Sequence, residues 1–440
     1  MKFFDRERET EKLRTIRAAA REEAQFTVLQ GRRRIGKTEL MVHAFGDEPY
    51  LYLFVSRAAE AALCAGYQKQ VEEFLGESIP GKVTSFGALF KYLMEKSQSR
   101  HFTLVIDEFQ DFFRVNAAIY SQMQEHWDFF KRGSKMNLVV SGSINTLMNR
   151  LFKNSEEPLY GRQTAEINLR PFSLTVMKEI LSSYHPGYAA EDLLALWTFT
   201  GGVAKYIALF MDNKAYTKDK MLNVLIEEDS YFLKEGWAML VSEFGKDYGT
   251  YFSILSAIAS GKTSRAEIMN EVDGDVGGYL TRLETQYSLI AKKQPLGEPT
   301  SNKNCLYKLG DNFLRFWFRY IHKYQYLIEV RMFDQLRKLA SDDYQVFSGL
   351  ALEGYFREQF IEAGRYSQIG NWWDKRGENE IDLIGVNEFE HKLDFYEVKR
   401  NEKRYNPAEL QRRAQLFLTC MPRLKGYEIS YSGLSLQDVV

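Results

Sequence analysis

The chain has 440 residues, 45% hydrophobic and 27% charged, with a formal net charge of -1. That length exceeds one ordinary core and implies two or three domains, while the mix of residues excludes a disordered chain and no apolar run approaches the roughly 18 residues of a membrane span. The balanced charge carries no global nucleic-acid signature, and Cys64, Cys305 and Cys420 are too scattered for a disulfide framework or a zinc site.

The opening "MKFFDRERETEKL" enters a charged helical pattern without the apolar stretch of a secretory signal, which points to a cytoplasmic protein. Four apolar runs follow, at residues 26–30, 49–56, 102–109 and 137–143, separated by helix-length segments. Such runs are strands buried on both faces of a parallel sheet, so residues 1–172 are expected to form an α/β domain.

The first run leads into "GRRRIGKTEL", in which Gly31, Gly36, Lys37 and Thr38 match G-x-x-x-x-G-K-[ST] between a strand and a helix. Backbone N–H groups across Arg34, Ile35, Gly36, Lys37, Thr38 and Glu39 are expected to cradle phosphates, assisted by the positive end of the helix. Lys37 would reach the β and γ phosphates, and Thr38 would place its hydroxyl on Mg²⁺. The third run ends in Asp107 and Glu108, one to hold Mg²⁺ and one to orient the attacking water. Ser141 and Ser143 end the fourth run, where either is a γ-phosphate sensor or a turn former. Arg162 in "LYGRQ" is an arginine finger, within the chain or between two copies, or else a structural ion pair.

Residues 173–245 read as a helical lid broken at "TGGVAKY", and residues 246–320 as three short helices and a two-stranded hairpin, the layout of a winged helix-turn-helix. Its third helix, "DVGGYLTRLETQYSL", has one obvious basic residue, Arg282. Such a module serves either DNA in the major groove or a protein partner.

In residues 321–440, strands "NEIDLIGV" and "LDFYEVKR" carry Asp382, Glu397 and Lys399. Alternation puts Glu397 and Lys399 on one face, where with Asp382 they could hold a second Mg²⁺ and stabilise a reacting phosphate. Glu353 is a candidate third acid and Gln411 a candidate orienting group. Trp372 and Trp373 are either base-stacking platforms or core residues.

Taken together, the chain resembles the prokaryotic AAA+/STAND-type "archaeal ATPase" family, through "FFDRERETEKL", "GRRRIGKTEL", "VIDEFQDF", "LYGR" and "TGGVAKY". That resemblance implies ATP rather than GTP, consistent with the lack of a guanine-reading N/T-K-x-D motif. It departs from the family at Ala204, where proline is usual, and at Lys205, so it carries no second-sensor role onto Lys205. The acid-lysine pattern is similar to the PD-(D/E)XK nucleases, which implies a restriction-endonuclease-like α/β domain. The expectation is therefore an ATP- and Mg²⁺-dependent switch over a nuclease-like domain directed at DNA, or the same switch with an inactive domain that holds partners, with no membrane association and with oligomerisation open.

Overall fold

The apolar runs of the first half form a sheet because each is flanked by helices that cover both of its faces. In the computed structural model, which describes residues 1–142, 146–244, 248–298 and 305–439, these strands are β1 (Gln25–Gly31), β2 (Leu51–Phe54), β3 (Phe102–Asp107) and β4 (Met136–Gly142), with a fifth, β5 (Ala165–Leu169). Their order is β2-β3-β4-β1-β5, and every pairing is parallel. Because β4 lies between β1 and β3, the loop after β1 and the acids after β3 flank the tip of β4. The core beneath is closely packed: Phe26 meets Trp127 and Phe152 edge-on at 5.1 and 5.8 Å.

The chain divides into two compact units, Asp5–Arg170 and a second made of Met1–Phe4 with Pro171–Val440. The segments read as 173–245, 246–320 and 321–440 all lie in the second unit, where one hydrophobic core runs from Phe172 through Phe199, Phe232, Phe252 and Phe316 to Tyr396. Gly236 is needed there because a Cβ would come within 2.2 Å of the Trp317 ring.

In this unit the helices Tyr248–Ala259, Arg265–Val272 and Gly277–Thr285 precede an antiparallel pair, β6 (Ile290–Lys293) and β7 (Leu306–Leu309). Ser264 and Glu267 cap the second helix reciprocally. A 31-residue helix, Phe333–Ala363, leads to β8 (Gln368–Trp373), β9 (Glu380–Asn387) and β10 (Lys392–Val398); helix Pro407–Cys420 then precedes β11 (Glu428–Leu434). The sheet order is β11-β10-β9-β8, antiparallel except for the parallel β10–β11 pair. Trp372 and Trp373 are buried, and Trp372 packs edge-on against Phe417 at 5.9 Å. Both are core residues and offer no platform for a base. Among the described residues, no helix is long and apolar enough to cross a membrane.

Candidate functional site

Gly31 closes β1 opposite Leu169, where a Cβ would stand 2.9 Å from the Leu169 carbonyl oxygen, so only glycine fits. The chain then turns through Arg34 and Gly36, both with positive φ (68° and 95°), and enters helix Lys37–Phe45. Glycine carries the second turn without Cβ strain, while Ile35 is buried and anchors the loop from below. Lys37 is nearly buried, and its ammonium donates to the carbonyls of Gly31 (2.8 Å) and Arg32 (3.1 Å). Thr38 and Glu39 lie at the exposed rim of the first helical turn.

Across the sheet, the Asp107 carboxylate accepts from Thr38 Oγ1 (3.4 Å), from the Tyr52 hydroxyl (2.6 Å) and from the Glu108 N–H (2.9 Å). Tyr52 stays a neutral donor, since burial and then the bond to Asp107 push its phenol well above the usual range. Glu108 has a positive φ of 53° and accepts from the Gln110 amide. At the tip of β4, register pairs Ser141 with Leu29; its buried hydroxyl has no hydrogen-bond partner among the described residues. Ser143 lies outside the described residues.

These residues fit a magnesium nucleotide: two positions exclude a Cβ or favour glycine, Thr38 and Asp107 face each other across one gap, and a buried hydroxyl beside them lacks a partner among the described residues. Residues 3–210 are similar to an archaeal-type P-loop ATPase domain. A family model described as an ATPase domain predominantly from Archaea matches residues 3–210, and a second, described as archaeal and bacterial proteins of unknown function, matches residues 317–410. An uncharacterized protein of Methanocaldococcus jannaschii is 29% identical over 407 residues, 90% of this chain and 87% of that protein. A Walker-type ATPase of Pyrococcus abyssi superposes with a TM-score of 0.53 at 19% identity, over 72% of this chain and 96% of that one, a likeness of fold.

Arg162 falls elsewhere. Its guanidinium donates to Asp128 (2.9 and 3.0 Å) and to the Tyr160 carbonyl (3.0 Å). It precedes the start of β5, where Thr164 bonds to Phe26 near the start of β1. In a parallel sheet that edge is opposite the phosphate loop, about five to seven strand residues or ~20 Å away. Within one chain, then, Arg162 cannot serve the site as an arginine finger. Lys205, in the second unit, is exposed on helix Ala204–Asp212.

The second cluster lies on the C-terminal sheet. The β9–β10 ladder ends at the Leu383–Tyr396 pair, so Asp382 and Glu397 come next to each other, and Asp382 accepts from the Val398 N–H (2.8 Å). Lys399 sits between the acids, 3.3 Å from Asp382 and 3.2 Å from Glu397. Burial pulls the Lys399 ammonium down, but the two carboxylates outweigh it and hold it above its usual value. Glu397 also accepts from the Asn406 N–H (3.0 Å) and lies 3.8 Å from Arg413.

Gln411 does not join them. On helix Pro407–Cys420 the buried side is Leu410, Ala414 and Phe417, which leaves Gln411 exposed and swings Arg413 toward Glu397. Glu353 does approach: burial, with Asp382 and Glu380 nearby, raises its carboxyl to about 7 against the pull of Lys293, 3.9 Å away. Glu380 is held above its ordinary value by burial and then by Asp382. Among the described residues, no three His, Cys, Asp or Glu side chains are grouped to hold a metal. The acid pair therefore does not make a metal cage in this arrangement, since the Lys399 ammonium occupies the space between the carboxylates.

Sequence reasoning missed Tyr52, Gln110, Glu380, Lys293 and Arg413. Glu380 was readable, because it stands two residues before Asp382 and shares its strand face, and so was Gln110, which follows Glu108 by two residues. The others reach their sites through pairings distant in sequence.

Proposed function

We propose that the protein is a magnesium-dependent ATPase whose nucleotide state controls a C-terminal nuclease-like domain directed at DNA. The observation that carries this reading is the convergence of Lys37, Thr38, Asp107, Glu108 and the Ser141 hydroxyl, unpartnered among the described residues, at the ends of β1, β3 and β4. Lys37 meets the charge of the β and γ phosphates, Thr38 and Asp107 hold the magnesium, Glu108 orients water, and Ser141 reads the γ phosphate. Bound magnesium supplies neutralisation of the phosphate charge. Arg162 enters such a scheme only from a neighbouring copy, which makes an oligomer part of any finger role.

The domain limits 1–172, 173–245, 246–320 and 321–440 belong to the same reading. Three helices followed by the β6–β7 hairpin support a winged helix, a surface for a protein partner or DNA. Asp382, Glu397 and Lys399 clustered on the two central strands β9 and β10 and just beyond support a restriction-endonuclease-like domain.

A second reading keeps the ATP switch and makes the C-terminal domain an inactive holder of partners. The observation favouring it is the Lys399 ammonium, which already pairs with both acids. Assays of ATP hydrolysis and DNA cleavage on the protein, beside Lys37→Ala and Lys399→Ala, separate the two. Cleavage abolished by Lys399→Ala supports the first; no cleavage with any nucleotide or divalent metal, together with ATP-dependent capture of a protein partner, supports the second.

A further inference from the structure

The β6–β7 hairpin brings a group of cations to the C-terminal sheet that neither reading uses. Ala291 pairs with Lys308 across the hairpin, and Lys293 follows Ala291 by two residues, so Lys293 and Lys308 project from one face. That end of the hairpin packs on the sheet: Leu296 donates to the Asn371 carbonyl (2.8 Å), and Lys293 stands 3.9 Å from Glu353. Arg357 lies one turn beyond Glu353 on helix Phe333–Ala363, and Arg315 comes from the short helix after β7, its guanidinium over the Phe347 ring at 5.8 Å.

Around Lys308 the cations outnumber the acids. The charged neighbours that weigh most on Lys308 are three cations, Lys293, Arg357 and Arg315, and a single acid, Glu353. Among the described residues, Lys308, Arg315 and Arg357 have no carboxylate within 4.0 Å. The hairpin connection, residues 294–305, contains a single acid, Glu298, and its stretch 299–304, "PTSNKN", contains none. Burial, then the neighbouring cations, push the Lys308 ammonium down to about 8. Holding like charges together in a half-buried place costs free energy that an anion would offset. Two guanidinium forks and two ammoniums are the donor set that suits a phosphate oxyanion.

We propose that Lys293, Lys308, Arg315 and Arg357 form a subsite for a phosphate group, supplied by a DNA backbone or by free polyphosphate, beside Glu353 and Asp382. Its DNA arm rests on the DNA-directed reading above, whereas the subsite itself requires no cleavage. It places the reacting strand's anchor on the hairpin, so that any movement of the hairpin moves the anchor.

The test uses full-length protein in the Lys37→Ala background, so that the phosphate loop does not compete. Fluorescein-labelled duplex DNA is titrated by anisotropy over a salt series, with and without pyrophosphate, for the parent and for Lys308→Gln and Arg357→Gln. For a DNA ligand, each variant weakens binding by about tenfold and lowers the salt slope by about 1. For free polyphosphate, the parent shows a pyrophosphate-induced rise in melting temperature that both variants lose, with no DNA binding. Lys308→Gln alone should melt no lower than the parent, because a repelled cation has been removed; this separates loss of the ligand from loss of the fold. Variants that bind DNA and pyrophosphate as the parent does, or a parent that binds neither, overturn the proposal. Cleavage that persists beside such unaltered binding removes the subsite and spares the nuclease reading, while absent cleavage with variant-sensitive binding does the reverse.

Discussion

The two acid-and-lysine sites of this molecule use nearly the same side chains to opposite effect. At the phosphate loop, the Lys37 ammonium donates to backbone carbonyls, and Asp107 accepts from neutral hydroxyls and an amide. At the C-terminal sheet, Lys399 bridges Asp382 and Glu397, so both carboxylates already share one ammonium. What a cluster can bind thus depends less on its residue types than on which groups hold each charge. The phosphate loop is arranged for an outside ligand. The acid pair must release Lys399 before it can hold a metal.

The sharpest way to break this contrast is at Lys37. Lys37→Ala should lower ATP hydrolysis by about a hundredfold or more, read as phosphate release, with little change in melting temperature. Glu108→Gln should lower the hydrolysis rate by about a hundredfold while ATP affinity by fluorescence titration stays near that of the parent. If both rate and affinity fall together, Glu108 is not the group that orients water.

Tyr52→Phe removes the 2.6 Å bond to Asp107. It should raise the magnesium concentration needed for half-maximal ATPase rate by about tenfold, as loss of groups that orient metal ligands does, without changing binding of metal-free ATP. An unchanged magnesium requirement would show that the β2 hydroxyl does not position Asp107.

The C-terminal site has smaller effects that read out through stability. Lys399→Met leaves two carboxylates side by side, and because the lysine is 34% exposed the expected loss is reduced to about 1–2 kcal/mol in urea unfolding near neutral pH. The raised ammonium of Lys399 stabilises the fold below its unfolded value and ceases to do so only in alkali, so the parent-to-variant difference should shrink above about pH 10.5. Glu353 acts in the same direction but nearer neutrality. Its folded value of about 7 lies above the ordinary 4.5, so the fold binds the extra proton and loses stability as pH rises between the two. Glu353→Gln should flatten the pH dependence of unfolding across that interval.

How much of this was legible in the sequence follows from the same contrast. The strands β1 to β4 are apolar on both faces, and a continuous apolar run announces such a strand. By comparison β5 ("AEINL") and β11 ("EISYSGL") are edge strands with alternating polar residues, and β8 ("QIGNWW") begins with polar and glycine residues; their strand character comes from partners distant in the chain. The phosphate loop was readable because glycines and lysine act within one turn. Tyr52 reaches Asp107 only through the β2–β3 register, which no local pattern encodes. Arg162 misled for a related reason, since spacing along the chain does not say which end of the sheet a residue occupies. Gln411 was placed near the acids by order alone, while the helix face selects Arg413.

The most direct measurement is calorimetric titration of the protein with ATP, with and without magnesium, beside Lys37→Ala. The account predicts saturable binding that magnesium strengthens and that the substitution abolishes. Binding that ignores magnesium, or that survives in Lys37→Ala with unchanged affinity, would contradict it.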